Sequence, residues 1–512
     1  MINDPLTEAI AAHQAGQLDE ARHLYAQVLA EKPTNPSLNQ VMGLLELQAG
    51  QTNAAQKHFE AILATQPNAP AALRGRAQVL LAKSNPTLAE TDLRQAVEAE
   101  PENAEGHALL GAALDAQDRP VEALASLEIA ISYKPGDVGL LRSTARILRE
   151  TGHADQALPI YQAIAAALPQ DADAHAGEGA AYWELAQYEQ ALGAFDRALA
   201  IDSNHSHALW NRAMVLLMLE RHDEGWPAYE ARWQASEKPP PHADIPQWDG
   251  GPLDDRTILL GSEQGFGDVI QFIRYAPMVA ARGGRVVAES WPELATLLAT
   301  CDGISDVWLN TDPRPTADVQ VPLASLPSVF QTTSETIPAS VPYLAGPPGP
   351  TVDKGKSEQP RVGLIWSGQQ MPRANRKRSM TVTDLDPIVT MEDITFISLQ
   401  IGGDCEALQS IAGPAATIID VSAKLSNFGE TARFMETCDA IISIDTGAAH
   451  LAGALGRPTA VLLPFSADWR WGSSKPTTQW YPTVTLFRQQ RMGDWSAPIS
   501  SATEWLRDLL TR

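Results

Sequence analysis

The sequence predicts an α-solenoid followed by a two-lobed α/β region, and three observations carry that prediction. A strict 34-residue period runs through the first 235 residues. Beyond it, short apolar runs alternate with segments of helical length, the pattern of a parallel sheet covered by helices. A proline- and glycine-rich stretch, AGPPGPTVDKGKSEQP at 345–360, divides this second half in two. At 512 residues the chain is also long enough for about three or four domains.

In the first half, prolines fall at 33, 67, 101, 135 and 169 and alanines at 21, 55, 89, 123, 157 and 191. A large apolar residue keeps the same step at Tyr25, Phe59, Leu93, Leu127, Tyr161, Phe195 and Tyr229. Each repeat reads as two antiparallel helices. The alanine permits a close helix crossing, the large residue four positions on fills the groove, and the proline ends the second helix. One pair cannot bury its own apolar face, so the pairs stack. The pattern resembles tetratricopeptide (TPR) repeats over about residues 2–235, with six clear repeats and a degenerate seventh. Such solenoids are mostly protein-binding scaffolds, so residues 1–235 are expected to bind a protein. In the last repeat, Trp226, Tyr229 and Trp233 stand at helical spacings. They are expected to close the solenoid and pack on the next domain, with ligand stacking as the alternative.

Residues 236–255 read as a linker. Strands are expected at 257–261, 285–289, 361–366, 394–400, 416–421, 440–444 and 459–464. They give one α/β lobe at 256–345, a linker at 346–360 and a second α/β lobe at 361–512. Ligands of such sheets bind beyond the carboxyl ends of strands, so the loops that follow strands are the candidates.

Four of these loops carry chemistry. In SEQGFGDVIQ, Gly265 and Gly267 allow a tight turn and close approach of a ligand, and Asp268 opens a helix, where an Asp also serves as an N-cap. In SGQQMPRANRKRSM, Arg373, Arg376, Lys377 and Arg378 form a basic cluster suited to phosphate or carboxylate, or a solvated loop. In SIDTGAAHLAGALGRP, Asp445, Thr446 and Gly447 make a turn into a short helix. The amides at its start and its dipole form an anion site. Thr446 can cap the helix or donate to a phosphate oxygen, and His450 lies one turn in, facing a ligand or held in the core. In SADWRWGSS, Asp468, Trp469 and Trp471 begin the loop, where aromatics stack on a base or sugar, or pack.

The net charge of −24 repels nucleic acid. Cys301, Cys405 and Cys438 are too few and too scattered for a disulfide framework or a structural zinc site, and they fit a reducing compartment. The N-terminus lacks the basic and apolar regions of a signal peptide, and no run approaches 18 apolar residues. A cytoplasmic protein with no membrane span is expected. Metal-binding spacings such as H-x-x-x-H are absent from the sequence, so no metal is expected.

Residues 255–512 resemble the catalytic region of bacterial two-lobed (GT-B) glycosyltransferases related to the heptosyltransferases. GDVIQFIRYAPMVA is similar to the family loop whose Asp is the proposed base, here Asp268. DTGAAHLAGALGRP is similar to the donor signature D-[ST]-G-x-x-H-x-x-A-x-x-x-P, and GLIWSG and ISLQ are similar to the donor-lobe strand ends. The resemblance implies Asp268 as catalytic base, residues 256–345 as the acceptor-side lobe and residues 361–512 as the nucleotide-sugar-binding lobe. It implies a donor site made from Gly265, Gly267, Trp366, Ser367, Arg376, Lys377, Arg378, Gln400, Asp445, Thr446, Gly447, Ala448, His450, Asp468 and Trp469. Lys377 or Arg378 would stand for the family's donor-lobe lysine. Repeats fused to such a region also resemble protein O-GlcNAc transferases and flagellin glycosyltransferases. That resemblance implies metal-independent transfer of a hexose or a nonulosonic acid, from a UDP- or CMP-linked donor, to Ser or Thr of a protein acceptor, such as flagellin, held by residues 1–235. The other classes open to this sequence are a TPR scaffold with an inactive GT-B region and a transferase of lipopolysaccharide or another glycan.

Overall fold

The structure, a computed structural model, describes residues 5–236, 239–349, 359–368, 378–402, 405–413 and 416–511. The chain forms two compact units, Met1–Pro169 and Gln170–Arg512.

The first unit is made of antiparallel helix pairs, beginning with Pro5–Gln14 and Leu18–Glu31 and ending with Val138–Glu150 and Ala154–Ala167. The repeated alanines Ala21, Ala55, Ala89, Ala123 and Ala157 are wholly buried, as are Phe59 and Leu93. A second register of small residues explains how the large ones fit. Ala9, Gly43, Ala77, Gly111 and Ala145 also recur every 34 residues and are buried. A Cβ added to Gly43 would lie 2.6 Å from the Phe59 ring, so that ring occupies the space a side chain would take. Asn35, Asn103 and Asp137 cap the first helix of their repeats by accepting an amide hydrogen bond of 2.9–3.1 Å. The prolines at 33, 67, 101 and 135 all fall in the turns between repeats.

The second unit takes in more than the α/β region. The helix pairs Ala172–Glu184 with Tyr188–Ile201, and Ser206–Met218 with His222–Tyr229 and Arg232–Ala235, belong to it. The compact units therefore divide at 169/170, whereas the repeat pattern runs to 235. Aromatic packing is the physical reason. Trp226 and Tyr229 are 2% and 1% exposed. The Trp226 ring lies 5.4 Å from Trp469, 6.1 Å from Trp480 and 6.4 Å from Phe272, and its N–H donates to the Thr332 carbonyl at 3.0 Å. The closing role expected of these aromatics is the one they take. Trp233 is only half-buried, under the Arg232 guanidinium at 4.4 Å.

Two parallel sheets follow. The first holds β1 (Thr257–Gly261), β2 (Arg285–Ser290), β3 (Asp306–Leu309) and β4 (Val319–Pro322), in the order β3-β2-β1-β4. The second holds β5 (Arg361–Ile365), β6 (Thr395–Ser398), β7 (Thr417–Asp420), β8 (Ala440–Ile444), β9 (Thr459–Leu463) and β10 (Val484–Arg488), in the order β10-β9-β8-β5-β6-β7. The central strands β8 and β9 are buried along their whole length, as parallel strands covered on both faces must be. The order reverses between β5 and β8, and in the first sheet between β1 and β4. Such reversals open a crevice at the carboxyl ends of the strands. Strands β3, β4 and β10 were not expected from the sequence. In β4 (VQVP) Gln320 breaks the apolar run, and in β10 (VTLFR) Thr485 does. Among the described residues, no helix is long and apolar enough to cross a membrane.

Candidate functional site

The loops after β5, β6 and β8 meet at the reversal of the second sheet. The Gln400 side chain ties two of them together: its carbonyl accepts the amides of Trp366 at 3.1 Å and Ser367 at 2.8 Å. After β8 the chain turns at Asp445 and enters the helix Gly447–Ala454. Thr446 is the N-cap residue, yet its side chain makes no capping bond, and among the described residues its hydroxyl has only 3.5 Å contacts to Ile444 and Ser443. The hydroxyl is thus not spent on the helix. Gly456, at φ +66°, ends this element as expected.

The first sheet brings a second helix start to the same place. The helix Phe266–Phe272 follows β1, with Gly265 as its N-cap. Asp268 is its third residue and reaches back to accept the Gly265 amide at 2.9 Å. It is therefore not the N-cap itself. Gly267 packs on the other lobe. A Cβ there would stand 2.9 Å from the His450 ring and 3.4 Å from the Gly447 Cα. The glycine permits contact between the two helices, whereas the sequence suggested room for a ligand. Phe266 closes one side, 5.2 Å from Phe428 and 5.5 Å from Trp291. Gly267→Ala is expected to push the helices apart and to cost about 1–3 kcal/mol, read by chemical denaturation.

Arg470 joins the lobes and was missed from the sequence, although it stands between the two tryptophans of the fourth loop. It is 8% exposed. It pairs with Asp268, binds Asp468 Oδ1 at 2.8 Å and donates to Gln271 Oε1 at 2.8 Å. Arg274, 3% exposed, bridges in parallel: it donates to the Trp480 carbonyl at 2.6 Å and the Tyr343 hydroxyl at 2.8 Å. Its guanidinium lies 4.6 Å from the Tyr481 ring centre. The Tyr481 hydroxyl in turn shares a 2.9 Å hydrogen bond with His450 Nδ1, and the His450 ring stacks on Trp471 at 4.9 Å.

These surroundings set the protonation of the site. Burial pushes the His450 imidazole well below its ordinary range, and Arg470 and Arg274 push the same way, so the ring is neutral at pH 7. Asp445 moves the other way, up to about 6. Burial is the main cause and the Asp468 carboxylate adds to it, against the pull of the Trp471 indole, Arg378 and Arg470. A carboxyl held near neutrality at a strand end is a mark of functional sites.

Several expected site residues take other roles. Trp469 is 2% exposed and walled in by Trp226, Tyr229 and Trp480, so it packs the core and does not stack on a ligand. The Trp366 side chain, 3% exposed, belongs to the core of the second sheet, and only its backbone faces the loops. Asp468 caps the short turn Trp469–Trp471 as well as binding Arg470. Ala448 lies in the first turn of the helix after β8. Arg373, Arg376 and Lys377 lie outside the described residues; Arg378 is within them.

Both halves of the chain are similar to known proteins. The family model "Glycosyltransferase family 9 (heptosyltransferase)" matches residues 402–480, a range that includes Asp445–His450 and Asp468–Trp471 but not Asp268. Two tetratricopeptide repeat models match residues 12–79 and 46–113, and residues 142–206 and 177–240. Protein FlbA of Caulobacter vibrioides is 25% identical over 453 residues, covering 80% of this chain and 74% of its own. Among solved structures, YrrB, "a TPR protein with an unusual peptide-binding site", is 24% identical and covers 36% of this chain and 95% of its own, with a TM-score of 0.32. A tetratricopeptide repeat protein from Parabacteroides merdae is 14% identical and covers 45% of this chain and 91% of its own, with a TM-score of 0.39.

Proposed function

We propose that this chain, which joins tetratricopeptide repeats to a glycosyltransferase family 9 domain, moves a sugar from a nucleotide-sugar to a hydroxyl of a protein held by the repeats. The observation that carries the proposal is the meeting of two helix starts, Gly265–Asp268 and Thr446–His450, at the reversal of the second sheet. The helix Gly447–Ala454 offers its first amides and the unspent Thr446 hydroxyl to a phosphate. Arg378, with the neighbouring Arg376 and Lys377, supplies charge for the departing nucleotide. Neutral His450, 5% exposed between Tyr481, Trp471 and Gly267, fixes the helix start without adding charge.

In the transfer, the acceptor oxygen attacks the anomeric carbon as the bond from that carbon to the phosphate oxygen breaks. The nucleotide leaves with the electron pair, and Asp268 takes the hydroxyl proton. Arg470 and the Gly265 amide hold that carboxylate in one orientation. The helix start and the arginines supply the charge, so the reaction is proposed to need no metal. Holding the acceptor on the repeats raises its effective concentration at the cleft.

Flagellin is the proposed acceptor, with a UDP- or CMP-linked sugar as donor, and the cytoplasm is the proposed compartment. What supports the acceptor class is the repeat array together with the similarity to flagellin glycosyltransferases noted in the sequence. The test incubates the full chain with flagellin of the source bacterium and each donor, and weighs the flagellin by mass spectrometry. A mass increase equal to one sugar residue, on Ser or Thr and lost in Asp268→Asn, is expected. Unmodified flagellin, with nucleotide binding intact, would exclude it as the acceptor.

A further inference from the structure

The end of the repeat array reaches the reversal of the first sheet, between β1 and β4. Arg232, 5% exposed, donates to both carboxylate oxygens of Glu263, Nε at 2.7 Å and Nη2 at 2.9 Å. Its Nη2 also donates to Ser325 Oγ at 2.6 Å, and its Nη1 to Glu230 Oε1 at 2.8 Å. Glu263 lies in the loop after β1, and Ser325 follows β4. One turn earlier, the Tyr229 hydroxyl donates to Gln264 Oε1 at 3.2 Å and is met by Arg470 Nη2 at 3.4 Å. Gln264 holds φ at +62°, a left-handed conformation that costs energy for a residue with a side chain.

Closing a solenoid needs apolar surface, and Trp226 and the Tyr229 ring provide it. A buried Arg–Glu pair adds little to that task, because its desolvation offsets its attraction. What the polar contacts do add is geometry. Tyr229 and Arg232 grip the two residues just before Gly265, whose amide binds Asp268.

We infer that Tyr229 and Arg232 are positioning residues of the transfer reaction: they fix the loop Ser262–Gly265 and, through it, the Asp268 carboxylate. The inference rests on the proposed role of Asp268. It makes the last turn of the acceptor-binding array part of the chemistry, beyond tethering the acceptor.

The test uses the full chain with Tyr229→Phe and with the charge-balanced pair Arg232→Met, Glu263→Gln, which removes both charges of the buried pair and leaves the partly exposed Glu230 carboxylate with the Ser325 hydroxyl as donor. Hydrogen exchange is followed by mass spectrometry across residues 262–269 and 428–454. Nucleotide release is followed from UDP-N-acetylglucosamine and CMP-N-acetylneuraminate. In both variants, exchange at 262–269 is expected to rise about tenfold or more while 428–454 stays within about twofold. For the donor that is turned over, kcat is expected to fall about tenfold with KM for the donor nearly unchanged. Exchange at 262–269 within about twofold of wild type overturns the inference, as does raised exchange with an unchanged kcat. Full turnover by Asp268→Asn would instead remove the base assignment, and the exchange data would still report whether the loop is held.

Discussion

Asp268→Asn is expected to lower turnover by about 10²–10⁴-fold while leaving nucleotide affinity within about threefold. The amide is nearly the same shape as the carboxylate, so its carbonyl can still accept the Gly265 amide that starts the helix. It cannot take a proton from the acceptor hydroxyl. It also leaves Arg470 with Asp468 as its carboxylate partner, and Arg470 is 8% exposed. Some loss of stability, on the order of 1–3 kcal/mol, is therefore expected alongside the loss of activity. Unfolding by denaturant, measured beside the kinetics, separates the two effects. Turnover at the wild-type rate would remove Asp268 as the base.

The second large effect concerns stability. Asp445→Asn is expected to stabilise the fold near pH 8 by about 2–3 kcal/mol, with the gain fading toward pH 4. The sign follows from the direction of the shift. In the folded chain the Asp445 carboxyl titrates near 6, above its ordinary 3.8, so the folded state holds the proton more tightly than the unfolded one. Below 3.8 both states are protonated and the group is neutral in its effect. Between 3.8 and 6 the unfolded chain has ionised while the folded one still holds its proton, so stability is lost across that interval, and above 6 the folded state bears the carboxylate beside Asp468. Asparagine bears no such charge. The same substitution should weaken nucleotide binding, as expected of a site whose design opposes stability. Denaturant midpoints of the two proteins at pH 4, 6 and 8 check this. A constant difference across that range would contradict it.

The repeats were the most legible part of the sequence, because a solenoid repeats one packing problem and every solution leaves a mark at the same spacing. Even there the small register at Gly43 and Gly111 went unread beside the more evident alanines. In the α/β region the buried strands of the second sheet stood out as apolar runs, but β4, with Gln320 between Val319 and Val321, did not. The site was legible where local chemistry makes it. Asp445–Gly447 and His450 lie on one turn and helix, so their grouping survives in the sequence. The partners that act across the fold did not show. Arg470 meets Asp268 from 202 positions away and Arg274 meets Trp480 from 206, separations at which no local pattern records a contact. The burial of the Trp469 and Trp366 side chains did not show for a related reason. An aromatic residue after a strand looks alike in sequence whether it faces a cleft or a core.

The most direct test of the central claim is calorimetric titration of the full chain with UDP and with CMP, repeated on an Asp445→Ala, His450→Ala variant. Saturable binding of one nucleotide by the wild type, lost in a variant that still unfolds cooperatively, is the predicted result. It would also identify the donor class. Binding of neither nucleotide by the folded wild type would contradict the nucleotide-sugar reading and leave a repeat scaffold with an inactive second half.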